Sequence, residues 1–169
     1  MSTPINAGRF TADHAGPVTV FMIGMRVNTL WRIDKWLPVA RAMGPMIAEL
    51  SADPESGYLG GEQLLGGFRT LIFLQYWRSF DHLEAYATDR NRRHLPAWKE
   101  FYRKANQGEA VGIFHETWCV EPGAYETIYG NMPRVGLARV GDHEALGSTS
   151  TAALRTGARD EDQAPVTGY

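Results

Sequence analysis

An α+β fold, with helices on one side of a four-stranded antiparallel sheet, is what this sequence predicts. Two observations carry it. Apolar runs rich in β-formers and segments of helical apolar spacing follow one another in the order β-α-β-β-α-β, and the middle two runs are joined by Gly66-Gly67, a hairpin signal. That order is the ferredoxin-like arrangement. Helices on one side leave the other face of the sheet bare. Burying that face against a second copy gives a dimeric α/β barrel, so a homodimer is expected.

Each element has its reason. Residues 17–27 form the first strand, with Val18, Val20, Phe21, Met22 and Ile23 in one run. Trp36, Leu37, Ala40, Met43, Ile47 and Leu50 recur at helical spacing, which predicts a helix over residues 34–51. Pro38 suits its first turn, Gly44-Pro45 is where it would kink or split, and Asp53-Pro54 with Ser56-Gly57 stops it. Residues 58–65 and 68–77 are the hairpin strands. Ser79 caps a helix carrying Phe80, Leu83, Tyr86 and Ala87. Beyond the charged stretch 89–93, a further helix carries His94, Trp98, Phe101 and Ala105. Residues 111–120 form a fourth strand and residues 125–129 a short fifth.

The 169 residues suit one domain with an ordinary core, 44% of them hydrophobic. Residues 1–16 are short, polar and punctuated by Gly and Pro, and read as a loose arm. Residues 17–138 hold all five tryptophans and form the ferredoxin-like domain. Residues 139–169 carry few bulky apolar side chains, too few to offset the entropy of ordering them, and read as a flexible polar tail.

The charge balance, 17 basic against 19 acidic residues, offers no footprint for a phosphate backbone, which argues against nucleic acid. No apolar run approaches the ~20 residues of a membrane span, and residues 1–16 lack the layout of a signal peptide. A cytoplasmic protein without membrane contact is therefore expected. The single cysteine, Cys119, excludes an intrachain disulfide and a cysteine zinc cage.

Two histidines stand out by placement. His94 shares a helical face with Trp98 at i+4 and Phe101 at i+7. His115 sits mid-strand, on one face with Ile113 and Thr117, while Phe114, Glu116 and Trp118 point the other way. On the residues alone, two readings stand: core or edge histidines bonded to backbone or carboxylate, or imidazoles in an apolar, aromatic pocket. Such a pocket suits a haem or a planar hydrophobic substrate. Glu116 faces away from His115, so a two-histidine, one-carboxylate metal site has little support. Ser79 reads as a cap and Cys119 has no activator, so no nucleophile is evident. His14, His82 and His143 lie in the arm, a helix's first turn and the tail, and read as structural.

The segment Leu83-Glu84-Ala85-Tyr86-Ala87, then His94, then Phe114-His115-Glu116, then Tyr125-Glu126 through Asn131-Met132-Pro133 to Gly136-Leu137, resembles the C-terminal half of the haem-containing aldoxime dehydratases. By that resemblance His94 is the proximal haem-iron ligand and His115 the distal histidine that gives a proton to the leaving hydroxyl. Those proteins are roughly twice as long and carry two ferredoxin-like halves in one chain. They also offer a distal serine where this chain reads Met22-Ile23-Gly24-Met25-Arg26. The whole of residues 17–138 is also similar to a monooxygenase-like family of the dimeric α/β-barrel superfamily, named after a polyene-cleaving member of fumagillin biosynthesis. Tyr76-Trp77-Arg78-Ser79-Phe80, His94-Leu95-Pro96-Ala97-Trp98 and Asn131-Met132-Pro133 carry that likeness.

Together these imply an enzyme of the lyase or monooxygenase class, using haem b on a small hydrophobic substrate. His94 would be the axial ligand and His115 the acid/base. Trp98 and Phe101 would line the haem slot, and Arg26 would steer a substrate or a haem propionate. Two alternatives remain. One is a cofactor-independent monooxygenase with His115, Trp98 and Tyr129 lining its pocket; the other is a non-catalytic haem-binding protein.

Overall fold

Strand β2 (Val18–Val27) is the spine around which the larger part of the chain is built. The computed structural model describes residues 3–92, 99, 108–146, 152 and 156. It divides into two compact units, one of residues 19–119 and one of residues 1–18 with 120–169. The other elements are β1 (Asn6–Asp13), α1 (Ile33–Ser51), β3 (Tyr58–Leu65), β4 (Thr70–Trp77), α2 (Phe80–Thr88), β5 (Val111–Val120), β6 (Tyr129–Met132) and β7 (Asp142–Ala145).

The larger unit is the predicted β-α-β-β-α-β sheet. Its strands lie in the order β3-β4-β2-β5, which is the ferredoxin-like order. β4 runs antiparallel to both β3 and β2, with Phe21 opposite Gln75 and Ile23 opposite Phe73. The end of β2 meets the start of β5 through Asn28 N–H donating to the Ala110 carbonyl (2.9 Å), so this pair is antiparallel as well.

Helix α1 runs unbroken through Gly44 and Pro45, where the sequence suggests a kink or a split. A stripe of Met43, Met46, Ile47 and Leu50 on either side of that point faces the sheet, and this packing holds the helix across the missing N–H. Helix α2 begins as expected: Ser79 has extended backbone, and its hydroxyl accepts from the His82 N–H. The two helices meet the same core, in which Leu50, Trp77, Leu83 and Tyr86 are buried. Trp77 is its centre, 1% exposed, edge-on to Tyr58 (5.5 Å) and tilted against Tyr86 (5.8 Å). Truncating such a side chain costs about 3–5 kcal/mol. Gly57 closes the turn into β3 at φ +76°, where its missing side chain makes room for the His82 ring.

The second unit departs from the sequence reading. Residues 6–13, taken there as a loose arm, are strand β1, central in the order β6-β1-β7. The strand is hard to see because Gly8 (φ +105°) interrupts it and the register shifts between Asn6 and Arg9. Asn131 Oδ1 accepts from the Gly8 N–H (2.9 Å) at that irregularity. The polar tail likewise contributes β7, paired with β1 from Phe10–Ala145 to Asp13–Asp142. The strand expected over 125–129 instead begins at Tyr129. Residues 125 and 127 are held by side chains: Tyr125 O–H donates to Asp13 (2.5 Å), and Thr127 Oγ1 donates to the Ala12 carbonyl (2.8 Å).

The helix expected to carry His94, Trp98, Phe101 and Ala105 lies outside the described residues. No described helix is long and apolar enough to cross a membrane.

Candidate functional site

Alternation along β2, β4 and β5 sorts their side chains onto two faces. Phe21, Ile23 and Met25 of β2, Leu71, Phe73, Gln75 and Trp77 of β4, and Ile113 of β5 face the helices. Between them and α1 runs an apolar trough, whose helical wall is Val39, Ala40, Met43, Met46, Ile47 and Leu50. Ile23 and Met43 border both of its lobes, one reaching Ile113 and the other reaching Leu83, Tyr86 and Ala87 of α2.

His115 stands on this helix-facing side. It is two residues beyond Ile113 on β5, and its ring lies 5.7 Å from that of Phe21, tilted by 42°. The imidazole is exposed and touches an aromatic wall, so it has both an apolar neighbour and room for a ligand. Phe114 points the other way, its ring lying over Gly24, where a Cβ would collide with it. Glycine at that position of β2 is therefore what lets Phe114 pack, and the packing of Phe114 fixes which face His115 takes.

The structure does not bring Arg26 to this site. Met25 lines the trough, so Arg26 faces the opposite side, exposed, with Nη1 donating to Thr70 Oγ1 (3.4 Å). Its role toward a substrate or a propionate has no geometric support, because a one-residue step along a strand reverses the face. His94, Trp98 and Phe101 lie outside the described residues. Among the described residues no cluster of three or more His, Cys, Asp or Glu is placed to hold a metal ion.

Ser79, His14, His143 and Tyr129 have structural partners. Ser79 Oγ shares a 2.7 Å hydrogen bond with His82 Nδ1 as part of its cap. His14 Nδ1 accepts from the Gly16 N–H (3.3 Å). His143 stacks on Phe10 at 4.5 Å. Tyr129 belongs to the smaller unit, where its hydroxyl accepts from the Ala138 N–H (3.3 Å) and burial pushes its phenol pKa upward. Cys119 is free and exposed.

Sequence reasoning passed over Gln75. It is buried in the trough wall, 4% exposed, and its Oε1 accepts from the Trp77 indole N–H at 3.0 Å. One signal was available: a lone amide within the apolar run 71–77 on the face that packs the core.

A family model described as monooxygenase af470-like matches residues 18–137. Among curated proteins no sequence match is found. Among solved structures the chain is similar to an aldoxime dehydratase in complex with butyraldoxime, with a TM-score of 0.64 and 18% identity, covering 86% of this chain and 42% of that one. A second aldoxime dehydratase gives a TM-score of 0.60 and 18% identity, covering 88% and 44%. A cofactor-independent oxygenase from Streptomyces nogalater gives 0.43 and 13% identity, covering 62% and 92%. The chain thus spans less than half the length of the aldoxime dehydratases it matches, and at 18% identity the likeness is one of fold.

Proposed function

The chain belongs to the monooxygenase af470-like family, and from that premise we propose that it is a haem-dependent enzyme acting on a small hydrophobic molecule, with His115 as its proton-transferring residue. The observation that carries this reading is the position of the His115 ring, against Phe21 on the helix-facing side of the sheet that also walls the apolar trough. An imidazole can both give and take a proton, and the exposed ring of His115 is open to a ligand lying along the trough.

Haem is the finer part of the proposal. The trough walls are almost wholly apolar and an imidazole stands on the same side of the sheet, which suits the polarity and distal group that a haem pocket needs. His94 would hold the iron, with Trp98 and Phe101 beside it. When bound, haem supplies an open coordination position for an oxygen or nitrogen of the ligand. The chain's own residues do the rest. Phe21 limits where the His115 ring can turn, Met25 and Ile113 keep the floor apolar, and His115 holds or releases the proton.

The same reading makes the working unit a homodimer. The sheet face turned away from the helices carries Met22, Ile72, Leu74 and Phe114, with Leu64 and Trp118 more than 40% exposed. Apolar side chains on a sheet face favour burial against a second copy.

An absorption spectrum of the full chain purified from haem-supplemented cells, taken with a turnover assay on aldoximes and polyenes, tests the proposal. A Soret band with turnover is the expected result. Turnover without the band would favour a cofactor-independent monooxygenase, and a band without turnover a haem carrier.

A further inference from the structure

We propose that Gln75 is the polar anchor of the trough: its side-chain N–H2 binds an oxygen acceptor on an otherwise apolar ligand. The inference rests on reading the trough as the ligand site, and it adds which chemical class the trough takes.

The geometry of the amide is fixed from one side. The indole N–H of Trp77 can only donate, so the atom of Gln75 that faces it at 3.0 Å is the carbonyl oxygen. The nitrogen therefore points away from Trp77. Gln75 is 4% exposed, and among the described residues its nitrogen has no hydrogen-bond partner. The sealed and unpartnered side-chain atoms among the described residues are Arg69 Nε and His143 Nε2, and the Gln75 nitrogen is not one of them. It keeps a remnant of accessible surface, and the space that Gln75 lines is the trough lobe shared with Phe21, Leu50, Leu83 and Tyr86.

A donor that a ligand would cut off from its remaining access to water must be satisfied by that ligand, so the site discriminates in favour of ligands that bring an acceptor. Two donor hydrogens favour a ketone, aldehyde, ester or ether oxygen and give nothing to a plain hydrocarbon, while the one lone pair that Oε1 keeps beside the Trp77 bond adds a weaker place for a hydroxyl. The position suits a ligand that also meets His115. Phe21 sits directly opposite Gln75 on the neighbouring strand, and its other side touches the His115 ring. The amide and the imidazole thus stand on the two strands that flank β2, about 10 Å apart at ordinary strand spacing. A ligand anchored by its oxygen at Gln75 would lie across Phe21 toward His115.

The test compares two probes of matched shape, acetophenone and cumene, titrated by NMR into the full chain and into Gln75→Met. For the wild type, the ratio of acetophenone to cumene affinity is expected to exceed that of Gln75→Met by about 3- to 10-fold, the worth of one neutral hydrogen bond. Cumene affinity should change little. Because Gln75→Met also removes the acceptor of Trp77 and could misfold, the wild type provides a second reading. Its Gln75 side-chain amide resonance should move with acetophenone and stay in place with cumene. If both probes bind and neither the ratio nor the resonance distinguishes them, the anchor role is overturned while the trough remains the ligand site. If neither probe binds, the reading of the trough fails, and the anchor role with it.

Discussion

The ring of His115 lies 5.7 Å from the ring of Phe21, on the side of the sheet that faces both helices. That contact ties the imidazole of the candidate site to β2, one of the two inner strands of the sheet. Phe21→Leu keeps an apolar residue in the wall but gives up the aromatic face, so the imidazole turns more freely. The expected outcome is a fold of unchanged stability to within about 1.5 kcal/mol and a kcat lowered by ~10- to 100-fold, since small misplacements of a catalytic group are that expensive. A kcat equal to wild type, with only KM altered, would show that Phe21 merely lines the trough.

Gly24→Ala tests the packing that sets the face of His115. A methyl group there meets the Phe114 ring and comes close to the Leu71 carbonyl (3.2 Å). The cost should be about 1–3 kcal/mol, read from denaturant unfolding. Because the clash is with a side chain, Phe114→Leu in the same chain should recover part of the loss, a coupling that a double-mutant cycle measures. Additive losses would mean that the ring is not what the methyl group meets.

Tyr125 gives a pH signature in the smaller unit. Burial first, and then its hydrogen bond to the Asp13 carboxylate, push its pKa from 10.0 up to about 12, against a smaller opposite effect of the His14 backbone N–H. The folded protein holds this proton more tightly than the unfolded chain does. Its contribution to stability is therefore complete below about pH 10 and is lost as the pH rises through about 12. An ultraviolet titration should show a tyrosine with that high midpoint, and Tyr125→Phe should remove it. A titration that Tyr125→Phe leaves unchanged would contradict the assignment.

The homodimer is tested on the sheet face away from the helices. Light scattering of the wild type should give twice the 18.8 kDa chain mass, and Leu74→Asp, which puts a charge in the middle of that face, should give the single chain. A wild type that stays monomeric at micromolar concentration would contradict the dimer.

The elements with local signals were legible in the sequence. Gly66-Gly67 marked the β3–β4 hairpin and Ser79 marked the start of α2, because a turn and a cap are decided by a few adjacent residues. Strand β1 was missed because its partners, residues 129–132 and 142–145, are far away in the chain and Gly8 breaks its alternation. The side of the sheet taken by His115 followed from period-two alternation with Ile113. The same alternation turns Arg26 away from the trough. Gln75 was overlooked because its meaning depends on the Trp77 indole two residues on, a pairing that only the folded strand makes.

The proposed function requires the two histidines to divide the work, His94 holding the iron and His115 moving the proton. The Soret absorbance of His94→Ala and His115→Ala, each purified beside the wild type from haem-supplemented cells, tests it most directly. The expected result is a band in the wild type, its loss or collapse in His94→Ala, and its retention in His115→Ala, whose turnover falls by ~10²–10⁴-fold. Loss of the band in His115→Ala with retention in His94→Ala would contradict the assignment, and a wild type with no band would contradict the haem itself.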